Sequence, residues 1–263
     1  MYNISIIGAG NVAFRFSLAF QAAGHAINCV CSRSLEKADK VVRALKKHRS
    51  DAIAVTDYNS IPQSDILVIA ASDSAISDIA ADISKHSDRF KIIVHTSGAT
   101  DIDVLSGAGI GNCGVFYPLM TLSMNKDLDI KLVPFLIEAP TEEGREILSS
   151  LAMSLKAEYN ICTSQKRLQM HTAAVFATNF VNYMLSMAYD IAHPDFTFLL
   201  PSAIEAVRKA FLHTPMKAQT GPALRGDLET LNKHMELLKA KGLDNQAKMY
   251  ELLSKGIMDK FSI

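Results

Sequence analysis

Residues 8–13 read GAGNVA, which has the form G-x-G-x-x-A and lies between an apolar run and an amphipathic stretch. The first glycine permits a tight turn, the second lets a pyrophosphate approach the backbone, and a small third residue lets the helix pack close to the strand. The helix amino terminus offers unpaired N–H groups and the positive end of the helix dipole, so it binds phosphate without a charged side chain. The motif predicts a dinucleotide-binding turn in which Gly8, Gly10, Asn11 and Val12 contact the cofactor.

A second predicted strand, residues 26–31, ends at Ser32, Arg33 and Ser34. An NAD-selective site usually has Asp or Glu at this strand end, whereas an arginine with neighbouring hydroxyls suits a 2′-phosphate. We therefore expect NADP (NADPH) rather than NAD, bound by these three residues. Alternatively, Arg33 is a solvated loop residue and Ser34 caps the next helix, and the two roles are compatible.

The charge balance indicates which partners to expect. Lys plus Arg and Asp plus Glu number 27 each, which removes the case for a nucleic-acid surface. The four cysteines lack the paired spacing of a zinc site, so we expect buried thiols in a reducing compartment and no metal. They are Cys29, Cys31, Cys113 and Cys162.

Neither a membrane span nor a signal peptide is expected. The most apolar helical stretch, residues 173–192, has nearly the length of a span but carries Asn179, Asn182 and Asp190. A buried helix explains it better. No basic segment followed by an apolar run precedes the first strand, so we expect a cytoplasmic protein.

Apolar strands alternate with helical segments up to about residue 162, and strand signals then stop. The fold class predicted is α/β, a Rossmann doubly wound sheet (1–162) followed by an all-α domain (163–263), with a small-molecule substrate bound between them. The predicted strands are 3–7, 26–31, 53–55, 66–71, 91–95, 113–117, 132–138 and 157–161. The predicted helices are 11–23, 35–47, 75–85, 101–106, 142–155, 164–192, 201–212, 227–240 and 244–259.

Polar and small residues follow several strands at the edge where ligands of such sheets bind. Ala71 and Ser72 follow the fourth strand and are candidate cofactor contacts. His95, Ser97 and Gly98 follow the fifth: the histidine and serine are candidate catalytic groups, and Gly98 a candidate substrate contact. His95 is also explained as a satisfied structural group.

Tyr117 ends the sixth strand and is a candidate substrate contact, although it could equally only pack there. In the helical half, His171 and Asn179 are eight residues apart, so on a regular helix they project within about 80° of each other. His171 is the candidate proton donor, and Asn179 would orient the substrate or the carboxamide. Both could instead be satisfied polar groups. Arg225, in a turn-rich segment, is a candidate clamp for a substrate carboxylate.

With these residues assembled, the chain resembles the group that joins a Rossmann domain to an all-helical domain. That group includes pyrroline-5-carboxylate reductase, prephenate dehydrogenase, and 6-phosphogluconate and 3-hydroxyisobutyrate dehydrogenases. Within it, the chain is most similar to a bacterial family with no assigned substrate, over nearly its whole length. The resemblance implies an NADP-dependent oxidoreductase and a homodimer. It is carried by residues 95–99, 117–119, His171 with Asn179, 220–222 and 225–227.

Departures from the related enzymes limit what the resemblance implies. The hydroxyacid dehydrogenases have a lysine four residues before an asparagine, where this chain has Val175 before Asn179. Prephenate dehydrogenases have a His-Pro pair where this chain has Tyr117-Pro118. Imine reduction needs no such lysine and stays open. The two hypotheses are hydride transfer to or from a small carbonyl, hydroxyl or imine substrate, and a sensor or scaffold that holds NADP without turnover.

Overall fold

The computed structural model describes residues 1–48, 50–126 and 128–263. These residues form two compact units, Met1–Phe176 and Ala177–Ile263. The first unit includes residues 163–176, which the sequence prediction gives to the helical domain. The predicted boundary at 162 and 163 stays a prediction.

A mostly parallel sheet is the framework of the first unit. Its order among the described residues is β3-β2-β1-β4-β5-β6-β7-β8, and the β6–β7 pair alone is antiparallel. This is the doubly wound arrangement that the alternating pattern predicts, so the fold class is confirmed. The strands are β1 (Asn3–Ile7), β2 (Ala26–Cys31), β3 (Ile53–Val55), β4 (Ser64–Ile69), β5 (Phe90–His95), β6 (Cys113–Pro118), β7 (Phe135–Glu138) and β8 (Tyr159–Ile161).

Helices cover both faces of the sheet, because its central strands are apolar on both sides. One apolar core includes Phe16, Val42 and Leu148, and the other includes Ile76 and Leu105. The covering helices are α1 (Asn11–Ala22), α2 (Leu35–Lys46), α3 (Asp73–Ile83), α4 (Asp103–Ser106) and α5 (Glu142–Ser154).

Residues 164–192 are helical throughout, as predicted, but not uniformly so. α6 (Ser164–Ala174) leads into a π-helical segment, Val175–Phe180, and then into α7 (Val181–Ala192). The prediction that His171 and Asn179 lie within about 80° assumes a regular α-helix. Because the π segment has wider turns, that angle does not apply here.

Further helices complete the second unit. They are α8 (Leu200–His213), the short α9 (Pro215–Ala218), α10 (Leu228–Ala240) and α11 (Asp244–Phe261). α9 lies between the helices predicted at 201–212 and 227–240, where the sequence predicts none. Searched over the described residues, no helix combines the length and apolar character needed to cross a bilayer.

Candidate functional site

A groove of about 830 Å³ lies at the carboxyl ends of β1, β2 and β4. Of the nine predicted cofactor contacts, it is lined by Gly8, Gly10, Asn11, Val12, Ser32, Arg33, Ala71 and Ser72. The ninth, Ser34, does not line it. Its hydroxyl accepts a hydrogen bond from the Lys37 N–H at 3.3 Å and caps α2, the alternative that its residue type suggests.

The glycine-rich turn has the geometry that a dinucleotide requires. Gly8 has φ +116°, and a Cβ there would collide with the carbonyl of Ala70. The ends of β1 and β4 can therefore pack this closely only when residue 8 is a glycine. A Cβ on Gly10 would meet nothing within 4 Å. Gly10 is also the N-cap of α1, whose first turn has no side-chain cap and no acidic residue. The turn thus presents open space and free N–H groups to a phosphate, so these residues fit a dinucleotide.

Three cations line the far end of the groove. Arg33 follows β2, and Lys37 and Lys40 lie one turn apart on α2. All three side chains are exposed and reach the same groove as Ser32. The sequence reasoning identified Arg33 but missed both lysines. Their spacing of three residues in the helix after Arg33 was the signal that could have found them.

A loop after β6 is bound to α1 beside the groove. Asn11 accepts a hydrogen bond from the Met124 N–H at 3.1 Å through Oδ1. Arg15, one turn further along α1, donates to the carbonyls of Ser123 (2.6 Å) and Met124 (3.1 Å). Because Met124 lines the groove, the side chain of Asn11 shapes the groove wall, while its backbone belongs to the glycine-rich turn.

A tyrosine and a histidine meet at the same edge of the sheet. Tyr117, at the end of β6, and His171, on α6, are joined by a hydrogen bond of 2.8 Å between Oη and Nδ1. Their rings meet edge to face, with centroids 5.7 Å apart. A Cβ on Gly98 would lie 2.7 Å from His171 Nδ1 and 2.7 Å from Tyr117 Cζ. The structure therefore brings together Gly98, Tyr117 and His171, which are three of the predicted site residues.

The phenol of this pair holds its proton at neutral pH. Burial raises the pKa of Tyr117, and the nearby carboxylate of Asp73 raises it further, because both disfavour the phenolate. A protonated phenol can donate to Nδ1 or accept from Nδ1–H, so this bond occupies Nδ1 and leaves Nε2 as the other ring nitrogen of His171.

Ser97 and His95 have structural partners. The Ser97 hydroxyl oxygen accepts hydrogen bonds from the N–H groups of Ala99 (3.1 Å) and Thr100 (2.9 Å). His95 is fully buried and accepts from the Ser97 N–H at 3.2 Å. Burial, aided by the charge of Arg167, lowers the pKa of His95 to about 3. A histidine that is neutral at ordinary pH does not serve as a general acid, so the structure favours its structural role.

The remaining two predicted site residues belong to the second unit. Asn179 is exposed in the π-helical segment and accepts a hydrogen bond from the Thr178 hydroxyl at 2.9 Å. Arg225 is exposed in the turn before α10. Asp227 caps α10 by accepting from the Thr230 N–H at 3.1 Å and hydroxyl at 2.7 Å. Among the described residues, no group of three or more His, Cys, Asp or Glu side chains is arranged to hold a metal ion.

A doubly wound sheet with a bare glycine turn, an open groove and a Tyr–His pair at its carboxyl edge defines a Rossmann-type oxidoreductase. Residues 3–98 match the family described as "NADP oxidoreductase coenzyme F420-dependent". Residues 133–257 match a domain of unknown function, DUF2520. No curated protein sequence matches the chain.

Solved structures extend the comparison over the whole chain. A "putative NADP oxidoreductase", BF3122 from Bacteroides fragilis, is 31% identical with a TM-score of 0.86, and 98% of each chain is covered. The chain belongs to the same oxidoreductase family as that protein. The protein TM1727 from Thermotoga maritima is 17% identical (TM-score 0.68, 98% of each chain). A pyrroline-5-carboxylate reductase from Coxiella burnetii is 15% identical (TM-score 0.57, 97% of this chain and 98% of that one). These last two similarities establish the fold alone.

Proposed function

We propose that the protein transfers a hydride between NADP(H) and a small carbonyl, hydroxyl or imine substrate. The observation that carries this proposal is the groove itself. It joins a bare helix amino terminus at Gly10 to a cationic end at Arg33, Lys37 and Lys40. When bound there, NADPH supplies the hydride, and the protein supplies binding, orientation and a proton.

The two ends of the groove select different phosphates. The N–H groups at the start of α1 would bind the pyrophosphate, since Gly10 leaves room for it. Ser32, Arg33, Lys37 and Lys40 would bind the 2′-phosphate, because it is a dianion and three cations line this end. A ribose 2′-hydroxyl would gain much less from the same charges, which favours NADP over NAD.

His171 is the proposed proton donor. When Nδ1–H donates to the Tyr117 hydroxyl oxygen, 2.8 Å away, the imidazolium form would give its Nε2 proton to a carbonyl oxygen or imine nitrogen and become neutral imidazole. In the reverse direction, the same nitrogen accepts the proton of a hydroxyl substrate. The role of Asn179 as an orienting group stays a prediction. So does substrate contact by Gly98, Tyr117 and Arg225. His95 and Ser97 are left out of the proton-transfer step, because burial lowers the pKa of His95 to about 3 and the Ser97 hydroxyl oxygen already accepts two N–H groups.

Calorimetric titration with NADP⁺ and NAD⁺ tests the cofactor. We expect NADP⁺ to bind more tightly. Arg33→Ala should then weaken the binding of NADP⁺ by roughly 1.5–3 kcal/mol, because it removes a charge-assisted contact. The binding of NAD⁺ should change little. Arg43→Ala is the matched control, since Arg43 lies on α2 but does not line the groove. Equal affinities of the unaltered protein for the two dinucleotides would contradict the preference.

NADPH oxidation, followed by absorbance, tests turnover against keto acids, imino acids and aldehydes. Coenzyme F420 belongs in the panel because the family description for residues 3–98 names it. Turnover with a keto acid, an imino acid or an aldehyde supports the proposal, whereas turnover with F420 alone would support hydride transfer but not the proposed substrate class. Tight NADPH binding with no turnover across the panel would favour the alternative, a sensor or scaffold that holds NADP.

We also propose that the protein is a homodimer formed through its helical unit. α8 exposes Leu200, Ile204, Val207 and Phe211, the last with 83% of its surface accessible. Their spacing of four, three and four residues places them on one face of the helix. An exposed apolar stripe of this length is typical of an interface, and a second copy offers a matching stripe. Location in the cytoplasm stays a prediction from the sequence.

A further inference from the structure

We propose that Arg167 is a positioning residue that holds the imidazole of His171 against the phenol of Tyr117. The catalytic meaning of this inference rests on the proposed function, whereas the contacts that carry it do not. It concerns how α6, the helix that carries His171, is attached to the sheet.

α6 is attached through polar contacts. All eleven of its residues are described, and Arg167 is the one that is buried, with 1% of its surface accessible. Leu168, its neighbour, is 47% exposed. A surface helix normally buries an apolar stripe, and α6 does not. Its place on the sheet therefore depends on what the guanidinium of Arg167 binds.

The guanidinium binds two groups from other parts of the chain and one on α6 itself. It forms an ion pair with Glu138, at the end of β7, and donates to the carbonyl of Thr100 in the loop after β5. It also donates to the Ser164 hydroxyl at 3.1 Å. Ser164 in turn donates to Glu138 from its N–H (2.8 Å) and its hydroxyl (2.9 Å). The start of α6 is thus bound to both β7 and the β5 loop.

The loop after β5, which includes Thr100, also packs against the Tyr–His pair. Thr100 lies two residues after Gly98, whose backbone packs against both rings. The Ser97 hydroxyl holds the intervening turn by accepting from the Thr100 N–H at 2.9 Å. Arg167 therefore fixes the loop that contacts Tyr117 and His171 as well as the helix that carries His171.

The geometry of the helix completes the connection. Residues 167 and 171 are four apart, so they point about 40° from each other and lie about 6 Å apart along the axis. A shift of the guanidinium is consequently transmitted to the imidazole through one turn of rigid helix. Loss of this anchor would move His171 Nδ1 away from the hydroxyl of Tyr117.

A charge-neutral replacement tests the proposal without leaving a buried charge unpaired. The double variant Arg167→Met/Glu138→Gln removes both members of the ion pair at similar volume. Histidine ¹⁵N spectra of the full chain then report whether His171 Nδ1 still has its hydrogen bond with the Tyr117 hydroxyl. Tyr117→Phe gives the reference spectrum for a His171 without that bond. Circular dichroism shows which variants are folded.

We expect the His171 Nδ1 resonance of the double variant to move from its wild-type position to that of Tyr117→Phe. Lys166→Ala, on the exposed side of α6, should leave it unchanged. If the double variant does not fold, Ser164→Ala removes the shared hydroxyl without an unpaired charge and should shift the resonance in the same direction. The wild-type resonance in the folded double variant, or in Ser164→Ala where the double variant does not fold, would overturn the proposal. NADP binding is measured separately: its absence would refute the proposed function and leave this readout intact.

Discussion

The hydroxyl of Tyr117 lies 2.8 Å from Nδ1 of His171, although the two residues are 54 positions apart in the chain. Gly98 makes this contact possible, because any side chain there would occupy the space between the rings. One residue from each of β6, α6 and the loop after β5 thus meets at the carboxyl edge of the sheet. That edge is also where the glycine-rich turn and its groove lie.

Gly98→Ala should separate the Tyr–His pair. The new methyl group would lie 2.7 Å from His171 Nδ1, so a ring must move and the hydrogen bond is lost. Overpacking of this kind costs roughly 1–3 kcal/mol of the free energy of unfolding, which urea denaturation measures. Gly111→Ala is the control, since a Cβ at Gly111 meets nothing within 4 Å. Equal stability of the two variants would contradict the geometry.

Removing the imidazole should separate catalysis from cofactor binding. On any substrate found in the panel, His171→Ala should lower kcat by about 10²- to 10⁴-fold, because a general acid is lost. Tyr117→Phe removes one hydrogen bond and should raise the activation free energy of turnover by about 0.5–1.5 kcal/mol, a smaller loss of kcat. NADPH affinity should not change in either variant, since neither residue lines the groove. Full turnover by His171→Ala would remove it from the mechanism.

Stability should fall in mild acid because of His95. Its pKa is lowered from 6.5 to about 3 in the native protein, so the unfolded chain binds a proton between these values and the native protein does not. The free energy of unfolding therefore falls as the pH decreases through this window, by up to about 1.4 kcal/mol per pH unit. His95→Gln should flatten this dependence in urea titrations at pH 6.5, 5.5 and 4.5, and exposed His213→Gln should not. Parallel slopes for wild type and His95→Gln would count against a neutral, buried His95.

Phe211→Asp should dissociate the proposed homodimer. Phe211 is 83% exposed on α8, and a charge placed in an apolar interface is costly. Large aromatic residues often contribute 2 kcal/mol or more to an interface, about 30-fold in affinity. Sedimentation velocity should show a shift to monomer for Phe211→Asp and none for Lys209→Ala on the same helix. A wild-type protein that is monomeric at high concentration would refute the dimer.

Much of the fold follows from local patterns. The strands at 3–7, 26–31 and 53–55 are predicted to the residue, because each is a short, mainly apolar run bounded by polar or turn-forming residues. β4 begins at Ser64 rather than at residue 66, because the buried Ser64 hydroxyl pairs with Ser5 at 2.8 Å. A polar residue satisfied inside a sheet has no signature in a hydrophobic pattern.

The candidate site was predicted most directly where one segment carries the whole signal. The glycine turn is such a segment, and Gly8 and Gly10 stand where the motif requires them. Arg15 binds Met124 across 109 positions, and Arg167 binds Glu138 across 29, so neither contact has a local pattern. The π-helical segment is likewise not predicted by a helical pattern that assumes 100° per residue.

The buried arginine of α6 also restricts how that helix varies. Dispersion between apolar surfaces has no preferred direction, so a helix attached by an apolar stripe can slide slightly at little cost in free energy. Arg167 must meet the Glu138 carboxylate and the Thr100 carbonyl at once, and an axial slip of one residue, about 1.5 Å, would break both contacts. Substitutions on the outward surface of α6 should therefore leave its docking register unaltered.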